Sequence, residues 1–545
     1  MILLTTLNAR FSHAALGLRY LVANMGALKA QTRIIEFTIQ QNIDDIVEII
    51  LENPPEIIGI GVYIWNIFQT TQLIKELKIL RPDIIICIGG PEVSYEYENT
   101  EIFKDVDYLI TGWGDVSFPA LCTNLLETSV LGTNKLADLF IDETCINEAH
   151  IKMPNINKPH KVIKGVQPKL VDIILPYAQY SEHDIKHRTI YVEASRGCPF
   201  KCEFCLSSLD KTAWSFPLES FMAQMELLYT KGLRQFKFVD RTFNLKKEFT
   251  STILNFFLDK LAKYPENNLF LHFELVPDYL SDDLKELILK FPDGALQFEI
   301  GIQTLYPKTQ QLISRKTNLA LAKENITWLT KNTKVHLHVD LIAGLPAEDW
   351  DNFAKGFNEL WSWQPHEIQL GILKRLNGVP IIRHSQEFAI KYSKMAPYSI
   401  LENKDLSFTQ INDIKRIAKY WDLVANSGRF KSTLATLLAD NPFENMHKFS
   451  KWLFCEINQT HSIALDRLFT LVYKYLTEVE NHPIHVIRKI MSEDFMRFGL
   501  QGWPKILGEQ PDDWKTRFKT GAKQRPEKNS PKRQLQHDLS GASIN

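Results

Sequence analysis

The spacing of hydrophobic positions changes several times along the chain. Short apolar runs at residues 2–6, 33–38, 56–62, 83–88 and 108–111 alternate with stretches such as 14–28, where apolar residues recur at helical spacing. The run IIGIGVYI at 57–64 is apolar on both faces, as expected of a central parallel strand covered by helices on each side. Several runs end in turn formers, GGP at 89–91 and GWG at 112–114. Repeated βα units that end in glycine loops predict an α/β domain with a doubly wound, flavodoxin-like parallel sheet. Ligands of such sheets bind outside the carboxyl ends of the strands.

Residues 141–185 are richer in Lys, Pro, Asn and His and read as a connector. A second βα series follows, with strands predicted at 189–194, 235–240, 269–274, 296–301, 335–342 and 367–372. Six such units predict a partial (β/α)6 TIM-like barrel rather than a closed eight-fold one. Its strand ends carry Asp240, Glu274, Gln303 and Gly344, on the edge where barrel chemistry sits. From 391 the pattern is helical and aromatic, predicting a helical cap. After 520 it is polar and aperiodic, predicting a disordered tail. The predicted organisation is therefore a sheet domain at 1–140, a connector at 141–185, a barrel at 186–390, a helical carboxyl-terminal domain at 391–519 and a tail at 520–545.

Composition narrows the partners. A formal net charge of −1 over 545 residues supplies no global field toward nucleic acid or an anionic membrane. No window reaches the roughly 18 uninterrupted apolar residues of a membrane span, and the first residues lack the basic start and small-residue cleavage site of a secretory signal. A cytoplasmic protein with neither nucleic acid nor membrane as a partner is expected.

Seven cysteines are present, and three of them, Cys198, Cys202 and Cys205, fall within ASRGCPFKCEFCLSS directly after the first strand of the second series. Thiolates favour zinc or iron–sulfur. Structural zinc asks for four closed ligands, and His187 could supply the fourth, which leaves zinc open on the residues alone. A 4Fe-4S cluster held by three cysteines keeps one iron without a protein ligand, free for a substrate or cofactor.

The C-x3-C-x2-C spacing, with the aromatic Phe204 before the third cysteine, resembles the motif of radical S-adenosylmethionine (SAM) enzymes. The resemblance implies a 4Fe-4S cluster on Cys198, Cys202 and Cys205, with SAM chelating the open iron. An electron from the reduced cluster then breaks a carbon–sulfur bond and gives a 5′-deoxyadenosyl radical. KFVDRTFN at 237–244 occupies the place of the family's second-strand motif, where Asp240 stands by position for the residue that meets the SAM amino group. Glu274 resembles the polar third-strand residue facing SAM. EIGIQT at 299–304, with Gln303, and LIAGLPAED at 341–349, with Gly344, resemble the fourth and fifth strand ends. Arg315, in SRKT, lies where family members place a contact to the SAM carboxylate.

The amino-terminal region resembles the cobalamin-binding domain of one radical SAM subgroup. The matching segments are NARFSHAALGLRYL from Asn8 with Gly17, GVYIWN with Trp65 and Asn66, IGGPEVS with Gly89, Gly90 and Pro91, and DYLITGWGDVSF with Gly112 and Gly114. Trp113 and Asp115 replace two glutamates of the subgroup's last element. The D-x-H-x-x-G signature is absent, because His13 is followed by AALG. His13 is thus expected in a loop or helix start, and cobalamin would bind without a protein imidazole. LGILKRLNGVPI at 370–381 resembles the tail of an uncharacterised branch; there Lys374 and Arg375 either grip an acidic substrate group or are solvated charges. The resemblance implies cobalamin-dependent methyl transfer to an unreactive carbon or phosphorus of a small molecule, with an electron donor such as flavodoxin or ferredoxin. A radical rearrangement or cyclisation, and a non-catalytic iron–sulfur or cobalamin sensor, are the alternatives. No catalytic residue is assigned.

Overall fold

A computed structural model of the chain describes residues 1–131, 161–266, 268–497 and 502–509. The first sheet is wholly parallel, with strands β1 (Ile2–Asn8), β2 (Thr32–Thr38), β3 (Ile57–Gly61), β4 (Ile85–Gly89), β5 (Tyr108–Thr111) and β6 (Val162–Lys164) in the order β2-β1-β3-β4-β5-β6. Alternate residues feed two apolar layers. Leu3, Ile58, Ile60, Ile86 and Leu109 pack under helices Ile43–Glu52 and Ile67–Leu80, and Ile2, Leu4, Ile57 and Ile110 pack under Leu16–Ala23 and Ser117–Leu131. This two-sided burial explains the continuous apolar runs. Gly59 is needed for it, because a Cβ there would meet Leu4 and Phe118 side chains at 2.6–2.9 Å. The strand order reverses between β1 and β3, which opens a crevice at their carboxyl ends.

The expected connector is partly built into this sheet. Its residues Val162–Lys164 pair in parallel with β5 and add the sixth strand, and Glu182–His187 is a helix with a capping box between Ser181 and Asp184. A three-residue strand is too short to show a period, so the sequence pattern does not reveal it. Residues 141–160 and the tail at 520–545 lie outside the described residues.

The second sheet is also parallel and runs in chain order, through Ile190–Val192, Gln235–Phe238, Phe270–Leu275, Leu296–Gln303, His336–Ala343 and Glu367–Ile372. It is an open six-stranded barrel segment. Phe298, Ile300 and Ile302 face the helix layer and are buried, whereas Glu299, Gly301 and Gln303 face the inside. Beyond it, a short hairpin of Lys391–Tyr392 and Ile400–Glu402 precedes helices Phe408–Val424, Lys431–Leu438, Pro442–Ile457, Leu465–Lys474 and Ile484–Arg497.

These helices buttress the barrel rather than cap it. They pack on the sixth barrel strand and on helix Trp350–Ser362, and Asn426 closes the strand's open edge by exchanging two 3.0 Å hydrogen bonds with the backbone of Ile368. Among the described residues, none from this region lines either cavity described below. The apolar faces are used up laterally, which the aromatic content alone cannot indicate.

Candidate active site

The cysteine loop leaves the first barrel strand through a short antiparallel pairing of Ser195–Arg196 with Trp214–Ser215. Gly197 turns with φ +81°, and a Cβ there would meet Thr212, Ala213 and Asp210 atoms at 2.7–2.8 Å. The loop is held by its own hydrogen bonds. The Cys198 amide donates to the Asp210 carbonyl at 2.9 Å, and the Ser208 hydroxyl lies 2.8 and 2.7 Å from the Cys202 and Cys205 carbonyls.

Cys198, Cys202 and Cys205 border a cavity of about 210 Å³ at the carboxyl ends of the barrel strands. Phe204, Glu274, Gln303 and Arg315 line it with them. Arg315 Nη1 is 3.4 Å from Cys202 Sγ, its Nη2 donates to the Gly301 carbonyl and its Nε to Thr317 at 3.1 Å. Burial pushes the Cys198 thiol up, and the Arg315 guanidinium pulls against that rise. Gln303 has φ +72°, at a register shift between Gly301 and Gln303. A Cβ on Gly301 would meet Gln303 Nε2 at 2.2 Å, so the glycine makes room for a side chain folded back along the strand.

Five further ionisable residues line this cavity, Arg241, Asp278, Glu299, Lys316 and Asp340. Arg241 donates to both Glu274 oxygens at 2.6 and 2.9 Å, yet burial still raises the Glu274 carboxyl. Burial also acts to raise Glu299, but the hydrogen bond and charge of His272, 3.2 Å away, lower it to about 2. Burial raises Asp340 against the opposing pull of His338, at 3.3 Å. The sequence signal for these residues was the strict alternation in LQFEIGIQ and HLHVDLIA, which puts Glu299 and Asp340 on the inner face. Arg241 had no signal beyond its place next to Asp240.

Two predicted residues do not join this cavity. Asp240 is buried, accepts from the Ala194 amide at 3.0 Å and from the Ser195 hydroxyl, and is raised to about 7 by burial. It ties the end of the second barrel strand to the first. Gly344 has φ +92°, accepts from Asn403 at 3.2 Å, and would place a Cβ 2.7 Å from Ile400.

The three thiols suit an iron–sulfur cluster better than zinc. Among the described residues no three His, Cys, Asp or Glu side chains converge on one ion. A four-iron cluster spreads its thiolates over separate irons and asks for less convergence.

A second cavity, of about 580 Å³, lies at the carboxyl edge of the first sheet. Gly17, Gly89, Gly90, Pro91, Gly112 and Gly114 line it. Gly90 has φ +116° and a Cβ would press on the Val62 carbonyl at 2.5 Å, whereas at Gly112, φ +73°, a Cβ would meet nothing within 4 Å. Backbone thus borders the space directly, which fits a large planar ligand. Asn8, Trp65 and Asn66 support the cavity from behind. Asn66 is fully buried and bonds Thr6, the Leu7 and Gly61 carbonyls and the Tyr63 amide. Asn8 holds the His13 carbonyl at 3.0 Å and Glu36 at 3.1 Å. Trp65 stacks on Tyr63, which lines the cavity. His13 is in the loop before the first helix, with Nδ1 2.6 Å from the Tyr191 hydroxyl, outside the cavity lining.

The two cavities share a wall. Leu206, Ser207 and Leu209 face the glycine-rimmed cavity, and Phe204, Cys205 and Ser208 face the cysteine cavity. The residues that replace two expected glutamates secure this wall. Asp115 takes two hydrogen bonds from Arg196, at 2.8 and 3.1 Å, and Trp113 Nε1 donates to Asp210 at 2.9 Å. Arg196 also stacks against Tyr20 and Trp113 and pairs with Glu193 at 3.0 Å. Burial opposes its charge, but Glu193 and Asp115 raise its pKa further.

Comparison with known proteins bears on both cavities. A B12 binding domain model matches residues 2–122, a radical SAM superfamily model matches 192–360, and a family of unknown function, DUF4080, matches 386–540. An uncharacterized methyltransferase of Pyrococcus horikoshii is 27% identical over 240 residues, 43% of this chain and 50% of that protein. The cobalamin-dependent radical SAM methyltransferase TokK of Streptomyces tokunonensis is 27% identical over 174 residues, 31% of this chain and 23% of its own. The chain thus spans half or less of the length of these curated relatives. The apo structure of the cobalamin-dependent S-adenosylmethionine radical enzyme OxsB superposes with a TM-score of 0.55 at 13% identity, over 99% of this chain and 82% of that one.

Proposed function

We propose that this radical SAM protein with an amino-terminal B12-binding domain is an enzyme that cleaves SAM reductively and transfers a methyl group, through cobalamin, to an unreactive carbon or phosphorus of a small molecule. The observation that carries the reading is the shared wall, which sets a cluster-type cavity directly against a corrin-type cavity. When bound, the cluster with SAM supplies a hydrogen-abstracting radical and cobalamin carries the methyl group.

The chain's own residues bind, orient and exclude water. Cys198, Cys202 and Cys205 hold the cluster. Arg315 and Gln303 face the space where the SAM carboxylate and amine would lie, and Arg241 fixes Glu274 beside them. Phe204, Leu206 and Leu209 keep the wall apolar, which protects a reactive radical. The matches to methyltransferases support methyl transfer as the reaction. A small electron-transfer protein in the cytoplasm completes the proposal; no described helix is long and apolar enough to cross a membrane.

The test is anaerobic reconstitution of the full chain, with iron, sulfide and cobalamin quantified and SAM cleavage followed under a strong reductant. Four irons per chain, bound cobalamin, and 5′-deoxyadenosine release that Cys198→Ala abolishes are expected. Zinc in place of iron, or a loaded protein that never cleaves SAM, would overturn the enzyme reading and leave a structural or sensing protein.

A further inference from the structure

Residues 373–398 line neither cavity, yet they touch the loops of both. They leave the sixth barrel strand and first meet the loop that follows Gly89, Gly90 and Pro91. Arg375 pairs with Glu96, the Gly378 amide donates to Glu96 at 3.0 Å, Asn377 donates to the Glu92 carbonyl at 3.0 Å, and the Tyr398 hydroxyl donates to the Glu92 carboxylate at 2.6 Å. Gly378 turns at φ +82°, and a Cβ would press on the Tyr95 side chain at 2.5–2.9 Å. Tyr95 in turn lines the glycine-rimmed cavity.

Between these contacts the turn Pro380–His384 grips the cysteine loop at Glu203, the residue between Cys202 and Phe204. Glu203 is 4% exposed. Its carboxylate accepts from Arg383 Nε at 2.8 Å, His384 Nε2 at 3.0 Å and Ser314 at 2.8 Å. Its carbonyl accepts the Ile381 amide at 3.0 Å, and its own amide donates to Ile313 at 3.1 Å. His384 Nε2 is also 3.1 Å from the Leu312 carbonyl and 3.4 Å from Arg383 Nε. A buried carboxylate with this many donors is fixed in place, and replacing it with a neutral amide would loosen the turn's hold on the loop.

We propose that 373–398 is a strut that couples the two cofactor sites, with Glu203 the positioning residue at the cluster end and Glu92 its counterpart at the cobalamin end. Ordering one loop through its ligand holds the strut, and the strut then holds the other loop. Each ligand therefore strengthens binding of the other by the same factor, as linkage requires. The inference rests on the proposed cofactor assignments.

The experiment uses the cluster-loaded full chain. Hydroxocobalamin is titrated by absorbance with and without SAM, and SAM binding is measured with and without hydroxocobalamin. SAM is expected to tighten hydroxocobalamin about five- to tenfold, and hydroxocobalamin to tighten SAM equally. Glu203→Gln and Tyr398→Phe should each bring that ratio to within about twofold of unity. If Glu203→Gln loses its cluster, Tyr398→Phe decides, because among the described residues the Tyr398 hydroxyl bonds to Glu92 alone. Independent binding in the parent, or coupling retained in Tyr398→Phe, would overturn the strut. A parent that binds no cobalamin overturns the strut together with the functional reading, and is told apart because one ligand is then absent altogether.

Discussion

The two parallel sheets of this molecule serve binding in opposite ways. The first is covered by helices on both faces, and all seven residues of β1 are buried. It can offer a ligand only the ends of its strands, where glycine lets backbone form the cavity floor. The second keeps one face under helices and turns the other inward with Lys237, His272, Glu299, His338 and Asp340, so its ligands meet side chains. A sheet covered twice binds by the shape of its edge, and a sheet covered once binds by chemistry on its inner face.

This contrast predicts which substitutions damage which site. The largest effect is expected from Cys198→Ala, which should lower SAM cleavage by at least about a hundredfold and remove iron, while apo-protein still takes up hydroxocobalamin. Next is Gly90→Ala, where a left-handed glycine meets the Val62 carbonyl. It should weaken hydroxocobalamin on the order of tenfold to a hundredfold by titration, with iron content unchanged. A smaller effect is expected from Arg241→Met, which leaves the half-buried Glu274 without its cation. SAM affinity should fall by roughly tenfold, with cobalamin affinity untouched. Loss of both affinities in any one of these variants would break the division of labour.

The same contrast explains how much could be read in the sequence. Continuous apolar runs marked the central strands of the first sheet, and Tyr108–Thr111 and Glu367–Ile372 fall where the periodicity puts them. The cysteine spacing and the glycine loops identified both cavities, because those features depend on local chain geometry. Asp240 was different. Its position at a strand end suggested a ligand contact, but a side chain can equally turn back to the neighbouring strand, and here it bonds Ala194 and Ser195. Trp113 and Asp115 looked like losses from a motif, yet they bind Asp210 and Arg196, far off in sequence. Contacts such as Glu203 with Arg383, 180 residues apart, leave no local period to detect.

Two buried carboxylates sharpen the comparison further, with the smallest expected effect. Glu36, in the first domain, is paired with Arg19 at 2.9 Å and with Arg188 at 2.5 Å. Burial opposes its charge, but Arg19 outweighs that and its pKa is lowered. Glu348, in the loop after the fifth barrel strand, is 2% exposed, accepts one hydrogen bond among the described residues, from Thr304 Oγ1 at 2.5 Å, and is raised by burial to about 8. The signs are opposite. Glu36 contributes stability above its unfolded pKa, and that contribution is lost as pH falls through its lower folded value. Glu348 binds its proton more tightly in the folded state, so stability falls as pH rises from about 4.5 toward about 8. Glu348→Gln removes that slope. Relative to the parent, the apo variant should gain on the order of 3 kcal/mol between pH 5 and pH 8.5, seen as a few degrees in Tm by thermal unfolding. An equal Tm difference at both pH values would mean that Glu348 is ionised in the folded barrel, and that the barrel compensates its buried acids as fully as the first domain does.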